Sequence, residues 1–421
     1  MAPPGAHTEK TIHKRRGRSG SLRRIETDPA HHLTGPFLTQ TPIGSNTPES
    51  ISSPVGNGFP RKALSAGLWS DIKSARWVVE PASSFKLLVI PIILYINWHI
   101  LAPYIAPQIP NPFAPFLFIS HHVPTSSPED PRYAKGYLDL VFVAYHIIFY
   151  SFVRQFITIT LCRPIAKYFG LRKQTKLDRF GEQGYALVYF AVMGAWGFRI
   201  MGQLPTYWYR TDVFFIDYPH WDMKPELKRY YLMHAAYWCQ QLVVLLLGLE
   251  KPRKDYTELV AHHFVTLWLI FWSYLVNMTL IGNAVYMSMD IPDAFLAFSK
   301  LLNYMRWGKS KVVSFSVFLC VWTYFRHWLN LVMLWSVWNE FDLMPESSKK
   351  WEPKEGVWMT WWMKYQMFAP ILLLQFLNLF WYFLIWRILF RSIVKSSMTD
   401  ERSDDEDDGE DEADAIEVKE D

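Results

Sequence analysis

Eight apolar stretches constrain what this chain can fold into. They lie near 85–105, 137–162, 181–202, 229–249, 259–279, 282–304, 312–338 and 366–388, each close to the roughly 20 residues that a helix needs to cross a bilayer. A hydrocarbon interior offers no water to backbone N–H and C=O groups, so segments of this kind span as helices, their hydrogen bonds closed internally. The predicted fold is an all-α polytopic membrane protein of about eight transmembrane helices. Twenty Trp, 22 Tyr and 29 Phe agree with it, because aromatic side chains collect where protein meets lipid interfaces. Mean hydropathy is only +0.01, because polar ends dilute the apolar middle. The sixth stretch follows the fifth so closely that a tight helical hairpin is expected, with its turn around Ile281-Gly282.

Charge divides the chain further. Residues 1–25 hold seven Lys/Arg against one acid, and residues 397–421 hold fourteen acids against two bases. Residues 1–64, rich in Pro, Ser, Thr and Gly, read as a disordered basic cytosolic arm, and 396–421 as a disordered acidic tail. Between them, 65–136 is expected to hold an amphipathic approach, the first span and a lumenal loop, with the membrane domain over 137–395. Basic loops alternate with poorer ones. Arg163, Lys167, Arg172, Lys173, Lys176 and Arg179 follow span two, Lys251, Arg253 and Lys254 follow span four, and Arg306, Lys309 and Lys311 follow span six. The positive-inside rule then puts both termini in the cytosol. Near anionic headgroups the basic arm reads as a membrane flank and not as a nucleic-acid patch. Pro205–Trp221, thick with aromatics, reads as a lumenal aromatic belt or re-entrant edge. Cys162, Cys239 and Cys320 sit in or beside apolar runs and read as small hydrophobes. Ser403, ahead of Asp404-Asp405-Glu406, matches an acidophilic-kinase site, with a plain solvated tail as the alternative.

Ionisable groups inside a membrane cost several kcal/mol unless paired or facing a cavity, so they mark candidate function. In span five, His262, Thr266, Ser273 and Asn277 fall within about 60° of one another at ~100° per residue. Asn283, Tyr286, Asp290, Asp293, Lys300 and Tyr304 share one face of span six, and Ser316, Thr323, Arg326, His327 and Asn330 one face of span seven. Three stripes turned inward make a polar cavity. An ion pair of Arg326 with Asp290 or Asp293 that merely holds helices together is the plainer alternative. The histidines form no H-x-x-H-H box, so neither an iron centre nor a fatty-acid elongase is favoured, and no metal or cofactor is expected. An imidazole that attacks or deprotonates, with a carboxylate to orient it, fits better.

The stretch from Arg253-Lys254-Asp255-Tyr256 to Tyr304 is specific. It carries R-K-D-aromatic, adjacent His262-His263, Ser-Tyr before Asn277, Asp-x-x-Asp at Asp290 and Asp293, and a closing S-K-x-x-N-Y. It resembles the Lag motif of ceramide synthases, within the TRAM-Lag-CLN8 membrane domain, and Met289 before the first aspartate resembles the fungal type. The resemblance implies six or seven helices ringed around a central cavity. It also implies acyl-CoA-dependent N-acylation of a sphingoid base in the endoplasmic reticulum membrane. His262 would carry or activate the acyl group, His263 support it, Asp293 orient the imidazole or deprotonate the amine, and Asp290 polarise. Arg253, Lys254, Lys300, Asn303, Tyr304 and Arg326 become candidate substrate contacts. A small single-span accessory subunit and pairing with itself or a paralogue are implied partners. A non-enzymatic lipid-sensing or translocon-associated member of the superfamily is the alternative. Straight helices leave one mismatch, with both aspartates one to three turns deeper than His262.

Overall fold

A computed structural model describes residues 67–250 and 255–395. The basic arm 1–64, the acidic tail 396–421, and Lys251, Arg253, Lys254 and Ser403 lie outside the described residues. Eight long helices follow the eight apolar stretches. They are α1 (Pro81–Ile105), α2 (Leu138–Tyr168), α3 (Gln174–Met201), α4 (Pro225–Leu246), α5 (Tyr256–Leu275), α6 (Thr279–Tyr304), α7 (Ser310–Asn339) and α8 (Met363–Lys395). Pro81 and Pro225 open α1 and α4, where a missing N–H costs nothing. Among the described residues the strand pairing is one short ribbon, Tyr133–Ala134 antiparallel to Asp222–Met223. The protein is thus an all-α polytopic membrane protein.

Among the described residues five helices, α1, α2, α3, α7 and α8, are by length and composition apolar enough to cross a membrane. The other three are interrupted by His, Tyr, Trp and charged residues, and two of them, α5 and α6, carry the paired histidines and the aspartates. Helices α3 to α8 line the interior, while α1 packs outside on α2, tied by the Tyr145 hydroxyl donating to the Leu88 carbonyl at 3.1 Å. The core is aromatic: Tyr150, Tyr189, Tyr230, Tyr231, Tyr237 and Tyr286 are all buried. Beside it, Lys228 on α4 lies 2.8 Å from Asp139 on α2. Its ammonium also donates to the Ser120 and Ala134 carbonyls, and the Tyr274 hydroxyl donates to Asp139. Burying this pair costs desolvation energy that only such full hydrogen bonding offsets.

Three expectations change. The hairpin between α5 and α6 turns at Val276–Met278, not at Ile281-Gly282, with Asn277 at φ 64. Asn is one of the few residues other than Gly that enters the left-handed region without large cost. Its amide donates to the Gly356 carbonyl at 2.8 Å. Gly282 lies inside α6 because the Tyr231 phenol occupies the space a Cβ needs. Gly282→Ala is therefore expected to destabilise the protein by about 1–3 kcal/mol through overpacking, read as a lowered unfolding midpoint in detergent. An unchanged midpoint would show that Tyr231 moves aside freely.

The aromatic segment before α4 is not a lipid belt throughout. Phe214, Phe215 and Tyr218 are buried and plug the end of the bundle, while Tyr207 and Trp221 stay exposed. The Tyr209 and Tyr218 hydroxyls donate to the carbonyls of Ala284 and Val276. In α7 the polar stripe splits. Residues Thr323–Leu329 form a π-helical turn, which shifts the phase of the face around it. Arg326 and Asn330 point inward, whereas Ser316 and Thr323 are exposed and bond to carbonyls of their own helix.

Candidate active site

Two cavities meet inside the ring. The first, of about 60 Å³, is a narrow apolar arm toward the α5–α6 turn, walled by residues such as Ile270, Val276, Met278, Ile281 and Leu374. The second, about 550 Å³, is a vestibule toward the α4–α5 loop, bordered by Glu250, Asp255, Lys300 and His263. Four residues line both: Trp238, His262, Asp293 and Arg326. They form the junction between a wide mouth that carries charged side chains and a narrow, more apolar arm.

The turn at Asn277 explains why these groups meet. His262 lies 15 residues before it and Asp293 16 residues after it. Antiparallel helices with the same rise per residue then bring both to one depth. The mismatch noted from the sequence came from placing the turn too late. Helix α5 turns His262, Thr266 and Ser273 toward the arm, as its 3.6-residue period requires.

His262 is buried between two indoles, Trp238 at 5.5 Å and Trp381 at 5.3 Å between ring centroids, both edge to face. Its Nε2 is 3.5 Å from the Thr266 hydroxyl, and among the described residues its Nδ1 has no hydrogen-bond partner. Trp381 is itself held, donating from Nε1 to Asp255 at 2.9 Å. His263 points about a quarter-turn away, into the vestibule, and its Nδ1–H donates to the Leu259 carbonyl at 2.8 Å.

The two aspartates have different partners. Asp293 pairs with Arg326 at 2.7 Å. The guanidinium also donates to Asn378 and to the Met289 carbonyl, both at 3.0 Å, and lies 4.7 Å from the centre of the Trp322 ring. Asp290, one turn away along the arm, meets His234 of α4 at 2.7 Å. The ion pair that the sequence left open between Arg326 and either aspartate is thus with Asp293, and it lies in the junction itself.

Of the other candidates, Lys300 borders the vestibule, while Asn303 and Tyr304 line neither cavity. The Asn303 side-chain Oδ1 accepts from the Lys311 ammonium at 3.5 Å, and Tyr304 packs on the small cluster around Phe180 and Leu301. Sequence reasoning missed Trp238, Trp381, His234, Gln375 and Asn378. The last two were visible as polar residues three apart in an apolar run. They face α7, where Asn330 donates to Gln375 at 2.7 Å and Gln375 lies 2.9 Å from His327. Twenty tryptophans give no such signal. No group of three or more His, Cys, Asp or Glu side chains suited to a metal occurs among the described residues.

A buried imidazole and a carboxylate that line one junction, between a wide vestibule and a narrow apolar arm, mark an α-helical membrane protein with a site inside its membrane-spanning bundle. Residues 179–387 match the TLC domain model, which covers both cavities. The chain is 37% identical over 365 residues to the sphingosine N-acyltransferase lac1 of Schizosaccharomyces pombe, covering 82% of this chain and 91% of that one. To the ceramide synthase LAG1 of Saccharomyces cerevisiae it is 39% identical over 280 residues, 66% of each chain. A sphingosine N-acyltransferase-like protein of Gibberella moniliformis, FUM17, is 39% identical over 257 residues, 61% of this chain and 66% of that one. The chain belongs to the ceramide synthase family.

Proposed function

We propose that this protein is a ceramide synthase that moves a fatty acyl group from acyl-CoA to the amine of a sphingoid base, using His262 at the junction. The observation that carries the reading is His262 placed where a wide vestibule that bears charged side chains meets a narrow apolar arm. A thioester head suits the first and an alkyl chain the second.

In this reading a nitrogen of His262 attacks the thioester carbonyl, the C–S bond breaks, and coenzyme A leaves as thiolate. The amine then attacks the acyl-imidazole, the C–N bond to the ring breaks, and an amide forms. An ammonium substrate gives up two protons in becoming an amide. One is taken by the thiolate and the other leaves through the vestibule. If His262 acts only as a base, the amine attacks the thioester directly and the same protons are released. Asp293, which lines the same junction and pairs with Arg326, offsets the guanidinium's positive charge as positive charge develops on the imidazole. His263 and Lys300 face the vestibule, where the phosphates of coenzyme A would lie. The narrow arm must widen to take a long chain, which fits a wall of Met, Ile and Leu side chains. The basic loops favour an orientation with the vestibule and both termini on the cytosolic side of the endoplasmic reticulum membrane. A single-span accessory subunit and a second synthase chain are partners to test by co-purification.

The test is ceramide formation by the purified full-length protein given a sphingoid base with either acyl-CoA or free fatty acid, followed by lipid mass spectrometry. Ceramide is expected with acyl-CoA alone. Its absence would overturn the reading, and equal yield from free acid would overturn the donor.

A further inference from the structure

The chemistry above does not use His234. It is fully buried and lines neither cavity, so it cannot touch substrate. Its ring is clamped by two tyrosines, stacked on Tyr286 at 4.1 Å and tilted against Tyr230 at 4.4 Å. Nδ1 faces the Tyr230 carbonyl at 3.3 Å, and Nε2 faces Asp290 Oδ2 at 2.7 Å. A carbonyl only accepts, so both ring nitrogens address oxygen and the imidazole has no freedom to turn. Asp290 is almost as deeply buried and does line the arm.

We infer that His234 is a positioning residue for Asp290: it occupies Oδ2 and leaves Oδ1 as the oxygen that meets the amine of the incoming substrate. This rests on the acyltransferase reading above. A carboxylate beside an apolar arm has two equivalent oxygens and a rotatable side chain. One short hydrogen bond from a clamped ring removes that freedom, and the amine then meets an acceptor of fixed direction. Orientation of this kind is worth up to about 10²-fold in rate. The pair also explains how two polar groups are tolerated here, since each satisfies the other away from water.

The experiment uses the full-length protein purified in detergent, with saturating acyl-CoA and varied sphingoid base. His234→Phe keeps a ring in the clamp but removes the donor. Its kcat is expected to fall by about 10-fold or more, with the unfolding midpoint near wild type. His234→Gln restores an N–H at similar reach and is expected to recover to within about 3-fold of wild type. Asp290→Asn sets the reference, and His234→Phe/Asp290→Asn is expected to be no slower than Asp290→Asn alone, as for two residues acting as one unit. Wild-type kcat in His234→Phe, a folded His234→Gln as slow as His234→Phe, or losses that multiply in the double variant would overturn the inference. Should His234→Phe fail to fold, His234→Gln decides alone: folded and slow overturns, folded and fast supports. A wild-type protein that forms no ceramide removes the acyltransferase reading, and this inference with it, before any variant is compared.

Discussion

His262→Ala is expected to abolish ceramide formation, by about 10³-fold or more, while the protein still folds. Alanine leaves a small gap between Trp238 and Trp381 but strands no partner among the described residues, where the hydrogen bonding of His262 is limited to a long contact with Thr266. Loss of rate without loss of fold therefore isolates chemistry. The measurement is turnover alongside the unfolding midpoint and gel-filtration profile. A folded variant that retains wild-type turnover would falsify the role given to His262. Incubation of the wild-type protein with acyl-CoA alone, followed by a denaturing quench and peptide mass spectrometry, separates the two routes. An acyl-sized increment on the peptide bearing His262 marks the covalent route, and its absence marks the imidazole as base.

Removing Asp293 is expected to hurt both fold and rate. Asp293→Ala leaves the Arg326 guanidinium buried without its carboxylate, and breaking a buried pair from one side costs about 3–5 kcal/mol. The lower end applies, because Asp293 retains some exposure toward the vestibule and Arg326 keeps Asn378 and the Met289 carbonyl. Asp293→Ala/Arg326→Met removes both charges and is expected to regain most of the lost stability, since two well-packed apolar groups need no partner. Turnover is expected to stay low in both. Unfolding midpoints and initial rates on the three proteins decide the matter. Recovery of rate together with stability in the double variant would mean that the pair only holds α6 to α7.

Much of the fold is legible because lipid leaves the backbone few options. Each apolar run becomes a helix, and all eight stretches begin or end within a few residues of an end of their helix. The hairpin turn was misplaced for a physical reason. Gly282 looks like a helix breaker in a string of residues, yet it serves a neighbour, Tyr231, which the sequence cannot bring to it. Asn277, which makes the turn, looks like one more polar residue on a stripe. In α7 the inward face was right at Arg326 and Asn330 and wrong at Ser316 and Thr323, because a π-helical turn resets a period assumed to be constant.

The site divides in the same way. Periodicity within single helices turned His262, Asp290 and Asp293 toward the interior, and this needs only the residue spacing and the angle per residue. Assigning partners needs the depth and rotation of one helix against another. Tertiary packing alone paired Asp293 with Arg326 and Asp290 with His234, set the two indoles about His262, and opened a vestibule on one side of it and an apolar arm on the other. The sequence by itself determined a helical membrane protein with histidines and aspartates inside. Only the tertiary structure decided which of them meet, because contacts between helices depend on turns and packing that no single stretch encodes.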